Sequence, residues 1–558
     1  MQALILAAGM GKRLKELTAD NAKCMVRVGN ETLIERAVRI LDRKKLDRII
    51  VVLGYEGEKL KNHILQSGVT TKLEFIDNPI FAETNNIYSF WLAKDYMRQD
   101  DTVLLESDLI FEEAVIDLLL EDARPSLALV DKRESWMDGT CVTLDASDRI
   151  LDFVPGKKLD LAGKNQYYKT VNIYKFSKAF LTDTYIPFLE AYMSAMGRGV
   201  YYETVLGLVA QLENCELRAK RLEGQIWYEI DDVQDLHIAE SLFAEDADRR
   251  YRMIVSRKGG NWRYPKLIDY SVPHNAYYPS KKMVEEMTAN AMELVSAPAS
   301  EITRIRELLG KYYGIQEDYV RAVGSISAIE EAFIAGGVDY TILTDPVGVR
   351  KLFATNQRVE SALEYAAGKN SIVLVDETAL EAVVSGGMDS YLTNERLEQY
   401  EDVLIVYKDL GRALGAPGLS VSMAAGAGER VRRLLDQIET DRISSFAEFF
   451  LQIAEKYKGE YEASLLQMRK DFESFTDGLA AVSYVKRCDG LLDIIVCELE
   501  EETDARQLIR YLFENNLLVS DLSEILGEGT NCIGLAVRTE AENQILLSKL
   551  IEYEKKNK

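Results

Sequence analysis

The sequence predicts an α/β protein built from two different modules, and three observations lead to that reading. Short β-branched runs alternate with amphipathic helical patterns up to about residue 245. The alternation then lapses into charge and Gly-Gly-Asn within "SLFAEDADRRYRMIVSRKGGNWRYP", after which helices and strands resume in a different order. At 558 residues and 47% apolar composition, the chain exceeds what one hydrophobic core can hold.

In the first module "ALILAAG", "RIIVVLG", "KLEFID", "TVLLESDLIF" and "SLALVDK" read as strands, with "TLIERAVRILDRK" and "EKLKNHILQ" as helices between them. Such alternation implies a mixed, mostly parallel sheet with ligands at the carboxyl ends of its strands. Residues 246–262 read as a connection. The second module, 263–558, opens with helices, returns to strands at "YTILTD", "SIVLVDE" and "DVLIVYK", and closes on a helix-rich α/β tail. The sequence shows no internal repeat or low-complexity tract.

A formal charge of -24 disfavours non-specific binding to nucleic acid or an anionic membrane surface. Six cysteines without a CxxC pair or histidine partners read as reduced thiols, and point to the cytoplasm. The N-terminal apolar run is too short for a signal peptide, and no run of about 18 apolar residues predicts membrane insertion. With three histidines in the chain, imidazole catalysis is disfavoured.

The stretch "LAAGMGKRL" places a strand end, Leu6, Ala7 and Ala8, before a glycine-rich turn with Gly9 and Gly11, then Lys12 and Arg13. Glycines let backbone amides approach an anion closely, and two cations neutralise phosphate charge. A plain strand-to-helix turn is the alternative for Gly-x-Gly taken alone.

This stretch resembles the signature of the Rossmann-like, sugar-phosphate-type nucleotidyltransferases, and further segments follow in that family's order. "NAKCM" puts Lys23 where the family has a phosphate-contacting lysine, with Ala22 in place of its usual proline. "AETNNIYSF" supplies Glu83, Asn85, Asn86 and Ser89 for base and ribose, "LLESDLIF" the metal aspartate Asp108, and "WYEIDDVQD" Glu229, Asp231 and Asp232 for a second metal contact. More narrowly, "ETNNIYS", "ESDLIF", "YYKTVNIYKFS" and "WYEIDDVQD" resemble choline-phosphate cytidylyltransferases and the related enzymes that activate 2-aminoethylphosphonate. The resemblance implies CTP as donor, Mg²⁺ on Asp108 with Glu229 or Asp231, and catalysis by Arg13, Lys23 and Asp108. An acceptor with a cationic head calls for aromatic faces and carboxylates. Trp136, Asp138, Tyr192, Tyr201, Tyr202 and Glu203 are candidates, each with an ordinary packing or surface role as the alternative.

The second module resembles a truncated fold-type I, class I/II aminotransferase domain. "AVGSISAIEEAF" with Gly324, Ser325 and Ser327 stands at the cofactor-phosphate loop, "TDPVGV" at the family's Asn-Pro-x-Gly, Asp376 at the pyridine-nitrogen partner, Lys408 at the Schiff-base position and Arg538 at the substrate-carboxylate clamp. Several pyridoxal-phosphate (PLP) contacts depart from the family. Ile405, Val406 and Tyr407 precede the lysine where the family has small residues, Ser420 replaces the arginine that reaches the cofactor phosphate, Asp345 replaces the ring-hydroxyl asparagine, and a strand–loop–helix insertion is missing. The expected result is a vestigial PLP site, with Lys408 an exposed lysine at a strand end and Arg538 a surface ion-pair partner. Three functional readings follow. The first is a phosphocholine cytidylyltransferase with an inactive appendage. The second is a bifunctional enzyme that makes and then activates an amino phosphate or phosphonate. In the third the C-terminal module serves interaction, as fold-type I proteins form homodimers.

Overall fold

A computed structural model of the chain describes residues 1–557 apart from 135–136, 162–165, 245, 258, 265, 344–355, 384–388, 441–442 and 523–530. It divides into two compact units, Met1–Arg263 and Tyr264–Lys558. Within the segment 246–262 the backbone forms a helix, Ala247–Val255, started by the Asp246 carboxylate, which accepts from the Arg249 amide at 2.6 Å. Charge density alone reads as a loop, but an N-cap followed by apolar Met253, Ile254 and Val255 makes a short amphipathic helix.

The N-terminal unit is organised around a nine-stranded sheet. Its parallel half runs Leu73–Asp77, Ile49–Leu53, Gln2–Ala7, Thr102–Glu106, and the antiparallel half continues through Tyr168–Phe176, Cys141–Leu144 and Ile150–Val154. Leu127–Lys132 and Arg218–Arg221 branch off Tyr168–Phe176. The sheet is thus mixed as expected, with parallel pairing concentrated in the half that the βαβ pattern builds. Helices Leu33–Asp42 and Gly57–Leu65 make the first crossovers, the former started by a Thr32/Glu35 capping box. Gln2–Ala7 is flanked by Ile49–Leu53 on one side and Thr102–Glu106 on the other. The strand order therefore reverses at Gln2–Ala7, and a crevice opens at its carboxyl end.

"TVLLESDLIF" is not one strand. Thr102–Glu106 stops, Ser107 and Asp108 turn, and Leu109–Phe111 leaves to pair antiparallel with Trp227–Glu229. Leu109 faces Glu229, and the Ile230 amide donates to the Asp108 carbonyl at 2.9 Å. This small ladder is what brings the 108 and 231 carboxylates to the same edge.

The C-terminal unit holds a five-stranded sheet in the order Val320–Val323, Ser422–Ala425, Leu404–Asp409, Ile372–Asp376, Tyr340–Leu343, the last three mutually parallel. A four-stranded antiparallel sheet of Val485–Leu491, Ile494–Leu499, Cys532–Ala536 and Ser520–Asp521 closes the chain with the helix Glu540–Asn557. The six cysteines are free thiols; Cys488 and Cys497, cross-strand neighbours, lie 3.3 Å apart at sulfur. Among the described residues no helix is long and apolar enough to cross a membrane.

Candidate nucleotidyl-transfer site

At the carboxyl edge of the parallel strands lies a cavity of about 320 Å³. Leu6, Ala8, Gly9, Gly11, Lys12 and Arg13 form one wall, Asn85, Asn86 and Ser89 another, and Lys23, Asp108, Asp231 and Tyr201 close it. Most of the residues expected at a nucleotide site thus come together. Ala7 points into the core below, and Glu83 is exposed in the turn before Asn85 and does not line the cavity.

Gly11 has φ +61, and a Cβ there would meet Lys23 Cγ at 2.9 Å, so only glycine lets the loop fold over the lysine stem. A Cβ on Gly9 would meet nothing within 4 Å, which makes Gly9 a smooth wall of the cavity. Gly54, at the end of the neighbouring strand, abuts Ala8; its Cβ would lie 2.7 Å from the Ala8 carbonyl oxygen.

Lys23 Nζ donates to Asp108 Oδ2 at 2.6 Å and to Asp231 Oδ1 at 2.8 Å, and Arg13 Nη2 reaches the same Asp231 oxygen at 2.7 Å. Burial pulls the Lys23 ammonium down, but Asp108 and then Asp231 outweigh it and hold it above the ordinary lysine range. Burial likewise pushes Asp231 up, and Lys23 and Arg13 reverse that, leaving it below the usual carboxylate range. Asp108 Oδ1 is buried without a hydrogen-bond partner. Asp232 caps the helix Val233–Leu242, accepting from the Gln234 and Asp235 amides, and so serves the backbone.

The Glu229 carboxylate meets Lys169 Nζ at 3.0 Å and accepts from Asn172 Nδ2 at 3.2 Å, and Asp108 and Asp231 act on its charge. Lys169 is 1% exposed and keeps its charge because Glu229 outweighs the cost of burial. Among the acceptor candidates, Tyr201 lies at the cavity rim and is 58% exposed, whereas Tyr192 packs on the aromatic core. Asp138 Oδ1 accepts from the Gly139 amide at 2.7 Å, and its charge reaches Arg13. Trp136 lies outside the described residues. Glu203 is buried in the first turn of the helix Tyr202–Ala210.

Sequence reasoning missed Asn78, Glu106, Lys169 and Asn172. Asn78 follows the strand Leu73–Asp77 directly and donates to Ser89 Oγ at 3.1 Å, so its position at the carboxyl edge was the available signal. Glu106, the last residue of Thr102–Glu106, accepts from Asn86 Nδ2 at 3.1 Å and lines the cavity.

In the C-terminal unit Asp376 pairs across neighbouring strands with Tyr407, the residue before Lys408. Ser325 caps the helix Ile326–Ala335 by accepting from the Ala328 amide at 3.2 Å, and Asp376 Oδ1 accepts from the Thr378 amide at 2.9 Å. Arg538 Nη2 holds Glu542 at 2.9 Å and Nη1 the Asp269 carbonyl at 3.1 Å, so this half-buried arginine ties local backbone and helix together. Lys408 corrects the expectation of an exposed side chain. It is 2% exposed, bonded to Glu381 Oε1 at 2.5 Å, with its ammonium 5.3 Å from the ring of Tyr313. The strand Leu404–Asp409 is central in its sheet and covered on both faces, so a lysine there is enclosed. Asp345 and the rest of "TDPVGV" lie outside the described residues.

Residues 3–152 match the MobA-like NTP transferase domain. With this edge geometry, the N-terminal unit is similar to nucleotidyltransferases of the cytidylyltransferase type. The whole chain is similar to a CMP-5'-(3-aminopropyl)phosphonate synthase of Streptomyces rubellomurinus, 24% identical, with 99% of this chain and 95% of that protein covered. The N-terminal unit is similar to a choline-phosphate cytidylyltransferase of Streptococcus pneumoniae, 26% identical over 44% of this chain and 100% of the relative. A solved histidinol-phosphate aminotransferase from Clostridium acetobutylicum covers 52% of this chain and 100% of its own at 16% identity and a TM-score of 0.45.

Proposed function

We propose that the protein transfers CMP from CTP to a phosphate or phosphonate oxygen of a small acceptor that carries a cationic nitrogen. The acceptor oxygen attacks the α-phosphorus in line, a new P–O bond forms, the bond to the β-phosphate bridge breaks, and pyrophosphate leaves. The attacking oxygen is already anionic, so positioning and charge neutralisation suffice, in keeping with a site without histidine.

One observation carries this reading: Arg13 and Lys23 converge on the Asp108–Asp231 pair at the mouth of a glycine-walled cavity. Arg13 and Lys23 stabilise charge on the departing pyrophosphate, and Gly9 and Gly11 let the loop approach the phosphates. Asn85, Asn86 and Ser89 face the nucleoside. Two hard oxygen donors turned toward one cation, with Asp108 Oδ1 still unpartnered, fit Mg²⁺, and Asp108 and Asp231 would hold it. Among the described residues no group of three acidic, cysteine or histidine side chains forms a metal cage, and Mg²⁺ ordinarily keeps several waters and substrate oxygens as ligands. Bound there, the ion would supply charge neutralisation at the α-phosphate.

Phosphocholine is the acceptor that the N-terminal motifs and the pneumococcal relative favour. An aminoalkylphosphonate is favoured by the relative whose similarity runs through both modules. The contacts at the aminotransferase-like positions weigh against PLP, since the lysine is bound to Glu381 and Arg538 is engaged with Glu542 and a backbone carbonyl. We read the C-terminal unit as a packing or dimerising module. The test is pyrophosphate release from CTP, UTP and ATP with Mg²⁺ against phosphocholine, phosphoethanolamine and 2-aminoethylphosphonate. Release with CTP and one of these acceptors supports the proposal; equal release with all nucleotides, or none at all, overturns it.

A further inference from the structure

The antiparallel sheet that closes the C-terminal unit carries a pair of thiols that cytidylyl transfer does not use. Cys488 lies in Val485–Leu491 and Cys497 in Ile494–Leu499, and the two are register partners in the hairpin these strands form. Register partners point to the same face of an antiparallel pair, and here the sulfurs are 3.3 Å apart, in contact without a bond. Antiparallel partners have Cα atoms about 4.5 or 5.5 Å apart, and a disulfide accepts roughly 4.4 to 6.8 Å. Either spacing lets the sulfurs join by side-chain rotation with the backbone in place.

The two sulfurs differ in access and in acidity. Cys488 is half-buried on the edge strand of the four-stranded sheet, whereas Cys497 is fully buried on the next strand in. A hydrogen bond from the Cys497 thiol holds Cys488 below the ordinary cysteine range, and the same bond, with burial, raises Cys497. A reachable sulfur backed by a buried thiol is the arrangement of an attacking and a resolving cysteine. The remaining cysteines, Cys24, Cys141, Cys215 and Cys532, are buried.

A bond between these strands has a mechanical consequence. Among the described residues, Val485–Leu491 pairs with one strand, Ile494–Leu499, so that ladder is what holds the edge. At the hairpin tip Leu491 and Ile494 pack on Ala379, and the Leu492 amide donates to the Ala382 carbonyl at 2.8 Å. Ala382 follows Glu381, the carboxylate bonded to Lys408. Cross-linking the strands removes the frayed states of the edge and keeps its tip on that segment.

We propose that Cys488 and Cys497 form a reversible dithiol–disulfide site, oxidised by a low-molecular-weight disulfide and restored by thiols, and that its closure staples the C-terminal hairpin. The Cys488 thiolate attacks one sulfur of the oxidant, forming a mixed disulfide and expelling one thiolate. Cys497 then attacks the Cys488 sulfur, the bond between the two cysteines forms, and the second thiolate leaves with the Cys497 proton. The protein thiols lose two electrons and two protons, and the oxidant becomes two thiols. In a reducing compartment such a pair stays open until the oxidant rises.

The test exposes the reduced full-length protein to oxidised glutathione, quenches with acid, alkylates the remaining thiols in denaturant and maps them by mass spectrometry. Arg487 precedes Cys488 and no lysine or arginine follows until Arg506, so trypsin releases both cysteines in one peptide. The expected result is that peptide unalkylated and lighter by two hydrogens than its dithiol form, becoming alkylated at both cysteines after dithiothreitol, while the other cysteines stay alkylated throughout. Amide exchange within Val485–Leu499 should slow by about tenfold in the oxidised protein. In Cys497→Ser, Cys488 should retain glutathione as a mixed disulfide, and in Cys488→Ser, Cys497 should stay unmodified. The peptide map of the native protein decides the matter even where a variant fails to fold. A peptide that stays fully alkylated, a glutathione adduct that persists on Cys488 of the native protein, a cross-link to Cys532, or unchanged exchange in the hairpin overturns the proposal.

Discussion

Lys23 Nζ lies 2.6 Å from Asp108 Oδ2, across 85 residues of sequence, and the same ammonium holds Asp231 at 2.8 Å. Arg13 joins from the glycine loop at 2.7 Å. Three segments that are remote in sequence are thereby locked into one charge cluster at the strand edge. Glu229, two residues before Asp231, is paired with Lys169 and lies within electrostatic reach of Asp108.

The different ion-pair partners of Asp108 and Glu229 predict different consequences for two acids that the family motif treats alike. Asp108→Asn keeps the shape but removes charge at the transfer edge, and should lower kcat on the order of 10²- to 10³-fold. Glu229→Gln leaves the buried Lys169 without a carboxylate, and should lower the melting temperature while the Mg²⁺ concentration for half-maximal rate stays within about twofold. Steady-state pyrophosphate release over a Mg²⁺ titration, with thermal melts of both variants, checks the pair of expectations.

The two loop glycines should also separate. Gly11→Ala places a methyl against Lys23 at a positive φ, so the lysine must move and kcat should fall, by about tenfold or more. Gly9→Ala meets no protein atom and should leave folding unchanged, yet its methyl enters the space where phosphate would approach. A rise in KM for CTP with a smaller change in kcat is the expected signature. Equal effects of the two substitutions on kcat would contradict these roles.

What could be read in the sequence follows from where each residue stands. Lys12, Arg13, Lys23, Asp108 and Asp231 lie in turns at strand or helix ends, and alternating strands and helices bring such ends to one edge whatever the detailed register. Lys169 and Asn172 lie inside Tyr168–Phe176, where all nine residues are buried. Pairing with Leu127–Lys132 shifts register between Thr170 and Tyr174, and Asn172 sits at φ +60, so a two-residue alternation cannot tell which polar side chain faces the site. Lys408 was misread for a related reason: its enclosure depends on Leu404–Asp409 being a central strand, and that order is set by pairings distant in sequence.

Glu203 makes stability depend on pH. Burial, with Glu229 and Asp108 outweighing the pull of Lys169, pushes this carboxyl up to about 7, against about 4.5 when unfolded. Below both values the group is protonated in either state and contributes nothing. As pH rises from about 4.5 to about 7 the unfolded chain ionises first, so this group costs the folded state up to about 3 kcal/mol by pH 8. Denaturation of the native protein and of Glu203→Gln at pH 5 and pH 8 should show the variant gaining stability relative to the native protein at the higher pH. A difference that is the same at both values would remove Glu203 as the source.

The Lys408–Glu381 pair should respond asymmetrically, because Lys408 is 3% exposed at its side chain and Glu381 is 34% exposed. Removing the carboxylate in Glu381→Ala strands an ammonium inside the sheet, with Glu377 near but already accepting from Ser390 Oγ and the Tyr391 amide. The expected cost is about 3 kcal/mol. Removing the ammonium in Lys408→Met leaves Glu381 able to turn to water and places an apolar chain of similar length in an apolar strand, so the loss should be about 1 kcal/mol or less. The same enclosure bears on cofactor chemistry. A lysine enclosed in this ion pair is not presented to an aldehyde, so incubation with PLP should produce no visible absorption band that shifts on adding an amine. Such a band in the native protein, lost in Lys408→Met, would show that the ion pair opens and that the site is more than a remnant.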